Sequence, residues 1–132
     1  MKLITRDTDY AFRAITFMPK NKGKIISVKE LVQNLKVPRP FLRKILQVLD
    51  KKGLLRSYKG KGGGFLLNAR PQEIFLMDLI KVFQGRFSLN ECFLKKHACP
   101  HIKSCRLRKK IDKIQDYVLK ELKKINIAYL LN

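Results

Sequence analysis

The chain has 132 residues, with 30 Lys and Arg against 10 Asp and Glu, a formal net charge of +20. At 45% hydrophobic residues it is a globular domain and not a disordered basic tail, and no apolar run approaches the ~20 residues of a membrane span. An excess of positive charge this large points to a polyanionic partner, and it is uneven, because residues 1–70 hold 17 basic and 4 acidic residues.

The first residues, MKLITRDTDY, contain acids and lack the apolar core of a signal peptide, so the chain reads as cytoplasmic. A first helix is expected from Thr5 to Pro19. Thr5 would cap it, Asp7 and Asp9 would lie near its positive end, and Tyr10, Ala11, Ala14, Ile15, Phe17 and Met18 would form its apolar side. Lys24–Ile26 can form a short strand. Ser27-Val28-Lys29-Glu30 has the capping-box pattern and starts a second helix, with Val28, Leu31, Val32 and Leu35 inward. The turn at Lys36-Val37 then leads into a third helix.

That third helix carries apolar residues at Phe41, Leu42, Ile45, Leu46 and Leu49, which give one buried face. Arg39, Arg43 and Lys44 lie on the other face, where they can meet a phosphate or a base edge. Pro38 and Pro40 belong in a first helical turn, where a missing N–H costs nothing. Gly53 is placed to stop the helix with a positive φ. Two short strands, Leu54–Tyr58 and Phe65–Asn68, then flank Lys59-Gly60-Lys61-Gly62-Gly63-Gly64. Two helices joined by a tight turn and followed by a basic hairpin make a winged helix-turn-helix, in which the helix enters the major groove and the wing lies along the backbone. The wing glycines Gly60, Gly62, Gly63 and Gly64 match neither the P-loop nor the dinucleotide fingerprint. Their expected role is conformational, allowing positive φ and close approach of backbone to DNA.

After Arg70-Pro71 a helix is expected over Ile74–Gln84, with Leu76, Leu79, Ile80 and Phe83 inward and Gly85 as its stop. A longer helix runs from about Cys105 to Lys124. Along it Leu107, Ile111, Ile114, Val118, Leu122 and Ile125 recur at heptad-like steps, a seam for a second chain or for the helix's own domain. Asn126 can cap a last short helix, Ile127–Leu131. The division expected is therefore residues 1–85 as the DNA-binding domain, 86–104 as a loop, and 105–132 as a dimerisation helix with its extension.

The loop region carries Cys92, Cys99 and Cys105, with His97 and His101 between them. An odd, clustered set of cysteines in a chain read as cytoplasmic favours a metal or redox site over a disulfide framework. The spacing lacks the close cysteine pairs of zinc ribbons and fingers and suits an iron–sulfur cluster, with one ligand still to be supplied by a histidine, a carboxylate or a second chain. Lys95, Lys96, Lys103 and Arg106 would offset the negative charge of the cluster and its thiolates. No serine–histidine–acid set and no paired carboxylates stand out, so an enzyme is not expected.

TDYAFRAI at the start, the wing RSYKGKGGGFLL, the three-cysteine loop and the long C-terminal helix together resemble the Rrf-type transcription regulators over essentially the whole chain. The resemblance implies a mainly α fold with a small β-wing and a homodimer whose long helices cross. It further implies two winged helices on a palindromic operator in double-stranded DNA. Family members read bases with residues that correspond here to Pro38, Arg39, Pro40, Phe41 and Arg43, and place a basic wing residue, here Lys59, in the minor groove. With Lys44, Arg56 and Lys61 these complete the expected DNA contacts. The cluster ligands correspond to Cys92, Cys99 and Cys105. Some members take a fourth ligand from a histidine three residues beyond the third cysteine, where this chain has Arg108. Others use an aspartate of the partner's first helix, and Asp9 aligns with it, which favours a 4Fe-4S over a 2Fe-2S cluster. The expectation is a dimeric repressor switched by its cluster. The alternative is a constitutive nucleic-acid-binding protein with structural zinc or inert thiols.

Overall fold

A computed structural model of the chain describes residues 2–21, 23–89, 100–101 and 103–131. The expected class is what it has: six helices and one two-stranded antiparallel sheet among the described residues. The helices are α1 (Arg6–Phe17), α2 (Val28–Leu35), α3 (Arg39–Lys51), α4 (Leu76–Gln84), α5 (Arg106–Lys123) and α6 (Ile127–Leu130), and the strands are β1 (Leu55–Tyr58) and β2 (Gly64–Leu67).

The main core is built where α1 crosses α3. Ala11, Ala14 and Ile15 of α1 and Leu42, Ile45, Leu46 and Leu49 of α3 are buried together, with Leu31, Leu55, Ile74, Leu79 and Ile127. The two alanines present little side chain, which lets the helices approach closely. Phe41 departs from the expected buried face and is 40% exposed. One residue before Leu42, it lies ~100° round the helix from the core side. Pro38 is the N-cap of α3 and Pro40 its second residue, as the first-turn argument requires. At the other end Gly53 has φ +79° and the Leu54 amide donates to the Leu49 carbonyl at 3.0 Å, a Schellman closure. Asn68 then ties the wing to this stop, its Nδ2 donating to the Gly53 carbonyl at 3.0 Å.

The wing pairs Leu55 with Leu67 and Tyr58 with Gly64, one residue earlier at each end of the second strand than expected. Ile26 adds a one-residue third strand: its amide donates to the Phe65 carbonyl at 2.9 Å and its carbonyl accepts from the Phe65 amide at 2.8 Å. This explains two wing glycines differently from the sequence reading. A Cβ on Gly63 would collide with the Tyr58 carbonyl, and one on Gly64 with the Ile26 carbonyl. The close approach they permit is to the protein's own backbone.

Three other expectations are corrected. Thr5 holds the N-cap position of α1 but its hydroxyl caps nothing: it donates to Gln84 Oε1 at 3.3 Å and lies 3.2 Å from Thr8 Oγ1, while the Thr5 amide donates to the same Gln84 oxygen at 3.0 Å. Pro19 lies inside a 3-10 turn, Met18–Asn21, and does not end α1. Ile74 is outside α4: it is extended and fully buried, its carbonyl accepts from the Ile127 amide at 2.8 Å, and the next pair, Leu76 to the Ile125 carbonyl, closes at 2.9 Å. The end of the chain is therefore stitched by backbone into the start of α4, and Ile127 belongs to the main core. A smaller cluster joins Met77 and Ile80 of α4 to Leu122 of α5.

The end of α4 is fixed to α1 by a polar knot. Gln84 Oε1 accepts from Thr8 Oγ1 at 2.6 Å and from the Thr5 amide, while its Nε2 donates to the Leu3 carbonyl at 3.1 Å. Thr8 is fully buried, so its hydroxyl has no water to fall back on. Gln84→Ala should cost about 1–3 kcal/mol by urea unfolding, because it removes the short acceptor of the buried Thr8 hydroxyl and leaves only the longer contact to Thr5 Oγ1, and the pair Thr8→Val with Gln84→Leu should recover part of that loss. Gly64→Ala should cost about 1–3 kcal/mol from the forced backbone shift and lower the thermal midpoint more than a substitution at exposed Ser57.

Candidate nucleic-acid interface and cysteine region

Burial of Leu42, Ile45, Leu46 and Leu49 turns the opposite side of α3 to solvent. Arg39, Pro40, Phe41, Arg43, Lys44 and Gln47 are all exposed there. Four of them are expected to touch base edges through the first turns of the helix, the part that a recognition helix inserts into the groove. Gln47 was not anticipated. It stands one turn beyond Arg43 on the same face, so the helical period that marked Arg43 also marks it.

The wing rises beside this face. Arg56, Lys59 and Lys61 are exposed along it. A cleft of about 390 Å³ separates helix from wing, with Arg43, Gln47, Ser57 and Lys59 among its lining residues. Ser57 Oγ donates to Asp50 Oδ2 at 3.2 Å, which fastens β1 to the last turns of α3. Helix and wing thus form one basic surface.

On the side of α3 away from the wing lies the first turn of α1. The Arg6 guanidinium stands over the Phe41 ring, 4.4 Å from its centroid. Lys2, Arg6, Arg13 and Lys36 line a concavity of about 480 Å³ beside it. Lys36 is held there by its left-handed backbone at the end of α2, φ +54°. In the same concavity Asp9 is paired with Arg13 at 2.9 Å. Lys2, Arg6 and Lys36 were not anticipated, because only the fold brings the arm and the helix-turn-helix turn together.

Of the expected cluster ligands, Cys92 and Cys99, like His97, lie outside the described residues. Cys105 is half-buried at the N-cap of α5, where its Sγ accepts from the Arg108 amide at 3.4 Å. His101 is exposed. No three potential metal ligands converge among the described residues. Asp9 shares a small cleft with Ile125 and Leu130, whereas Cys105 begins α5. The 18 residues of α5 put roughly 27 Å of helix between the two regions within one chain.

The expected seam on α5 divides in two. Val118 and Leu122 pack against α4 and are taken by the chain's own core. Gln115 is buried and its Oε1 accepts from the Leu89 amide at 2.8 Å. Leu107, Ile114 and Tyr117 form a separate stripe, 67%, 52% and 66% exposed. Ile111 is half-buried, on the helical face of Val118 and Leu122.

The winged helix is shared with solved structures. CymR of B. subtilis, a global cysteine regulator, superposes with a TM-score of 0.78 at 24% identity, covering 99% of this chain and 97% of that one. IscR of T. potens gives 0.77 at 22% identity, covering 99% and 86%. The HTH-type transcriptional regulator NsrR of Bacillus licheniformis is 27% identical over 132 residues, 92% of each chain. NsrR is named a transcriptional regulator and not an enzyme. The profile of the Rrf2 family, described as iron-dependent transcriptional regulators, matches residues 4–132. The chain therefore belongs to the Rrf2 family and is a DNA-binding transcription regulator.

Proposed function

We propose that this regulator is a homodimeric repressor whose grip on a palindromic operator is set by an iron–sulfur cluster. The observation that carries the reading is the position of the cysteine segment. It leaves α4 immediately after the Gln84 knot, which holds the first turn of α1, and it ends at the N-cap of α5. A change in this segment pulls on elements that lead to the reading helix and to the exposed stripe of α5.

Dimerisation uses that stripe. Leu107, Ile114 and Tyr117 are large, apolar or aromatic, and exposed at helical spacing, which suits a helix-to-helix contact between two chains. An antiparallel crossing of two α5 helices brings the Cys105 end of one chain to the Asp9 end of the other. Asp9 from the partner is then the natural fourth ligand beside Cys92, Cys99 and Cys105. Its present ion pair with Arg13 is surface-exposed and weak enough to exchange. The donor set of three thiolates and one carboxylate fits an iron–sulfur group, 4Fe-4S in preference to 2Fe-2S. Such a group supplies redox- and ligand-sensitive bonds to the segment. The amide of Arg108 that reaches Cys105 Sγ is the kind of hydrogen bond that steadies a ligating sulfur.

DNA is held by Arg39, Arg43 and Lys44 on α3 and by Arg56, Lys59 and Lys61 in the wing, with Pro40 and Phe41 against base edges. Most of the affinity comes from phosphate neutralisation and falls steeply with salt. A ligand can switch such a dimer only through different affinity for its two states.

Three outcomes follow. Protein purified anaerobically should carry iron and sulfide in equal amounts, and replacement of Cys92, Cys99 and Cys105 by alanine should abolish both; colourless protein with stoichiometric zinc contradicts the reading. Leu107→Asp with Ile114→Asp should give a folded monomer by sedimentation. Lys59→Ala should weaken binding to all duplexes and reduce the slope of log K against log salt by about 2, one contact from each protomer.

A further inference from the structure

Phe41 and Arg6 form a unit, of which the reading above uses only Phe41. One face of the Phe41 ring is covered by the Arg6 guanidinium at 4.4 Å, while 40% of the residue stays open to solvent. Stacking on a ring leaves the guanidinium edge free to donate. Of the Arg6 N–H groups, Nε alone has a contact among the described residues, 3.5 Å to the Asp7 carboxylate, and that pair is more than half exposed. The other cations of the concavity, Lys2 and Lys36, lie on the same side, and the carboxylate within it, Asp9, is occupied by Arg13.

This places basic groups on both flanks of α3: the wing beyond Arg43 and Gln47, and Arg6 beyond Phe41. A helix seated in a major groove has a phosphate strand on either side, so both flanks are supplied. The base edge that an apolar ring can recognise in the major groove is the 5-methyl group of thymine.

We propose that Arg6 and Phe41 act together as a specificity element, in which Arg6 binds an operator phosphate while its stacked guanidinium holds Phe41 against a thymine methyl. Phe41 is the reading residue and Arg6 the positioning one. The inference rests on the DNA-binding function of α3 and deepens it by naming the base feature read.

The test starts by enriching preferred sites for the full-length protein from a randomised duplex library. Each thymine of the enriched site is then replaced by deoxyuracil, which removes the methyl alone, and the Kd is measured for wild type, Phe41→Ala and Arg6→Gln. One thymine in each half-site should lose about three- to fourfold in affinity with wild type, the worth of one buried methyl group, and nothing with Phe41→Ala. Arg6→Gln should shrink that methyl penalty and lower the salt slope by about two phosphate contacts, one per protomer; Arg6→Lys should restore the slope but not the full penalty, because an ammonium stacks less well. A methyl penalty that is absent at every thymine, or equal in wild type and Phe41→Ala, overturns the inference while leaving sequence-specific binding intact. Failure to enrich any sequence overturns the operator-reading role of α3 itself. Thermal midpoints of the variants within a few degrees of wild type exclude unfolding, which the exposure of both side chains leads one to expect.

Discussion

The packing of α3 on α1 decides what this molecule can present to a partner. Leu42, Ile45, Leu46 and Leu49 are removed from water against Ala11, Ala14 and Ile15. Because a helix has 100° between successive residues, committing those four positions to the core commits Arg39, Pro40, Arg43, Lys44 and Gln47 to solvent. The same packing fixes the edges of that surface. On one side the Gly53 stop, the Asn68 clamp and the Ser57–Asp50 hydrogen bond set where the wing stands. On the other, the start of α1 is brought close enough for Arg6 to cover Phe41.

The C-terminal half is coupled to this core and does not hang from it. Ile127 lies in the main cluster, Leu122 packs on Met77 and Ile80, and the backbone around Ile74 and Leu76 pairs with the residues that follow α5. The cysteine segment therefore spans two anchored points. At one, Gln84 is bonded to Thr5, Thr8 and Leu3. At the other, α5 is seated by Gln115 and Leu122. In the proposed mechanism, that geometry gives a change among three thiolates leverage over the first turn of α1, and through Arg6 and Phe41 over the reading helix.

Much of this was legible in the sequence where a local rule operates. The apolar period of α3, the prolines of its first turn, Gly53 and the Ser27 cap each have a mechanism confined to a few residues, and each is found in place except that Phe41 leaves the apolar face. What was not legible depends on partners distant in sequence. Gln84 and Thr8 are 76 positions apart, and no pattern in either neighbourhood announces their bond. Thr5 has the residue type of a cap, but its hydroxyl is engaged by Gln84 and Thr8. Ile74 reads as the start of a helix and is instead pulled into extended pairing with Ile127. The heptad-like spacing on α5 could not say which of its two apolar faces belongs to its own domain. The glycines of the wing announced a special backbone, but only the position of Ile26 reveals that Gly64 answers to the protein itself.

The proposed switch requires that the cluster change operator affinity. The most direct measurement is the Kd for an enriched operator with anaerobic cluster-loaded protein, with the same protein after cluster removal, and with the variant lacking Cys92, Cys99 and Cys105. The loaded and cluster-free forms should differ by roughly 5–150-fold, the usual range of coupling between two sites, and the variant should behave as the cluster-free form. Equal affinities for the loaded and cluster-free forms would contradict the proposal, and would leave a family member that binds DNA without the switch.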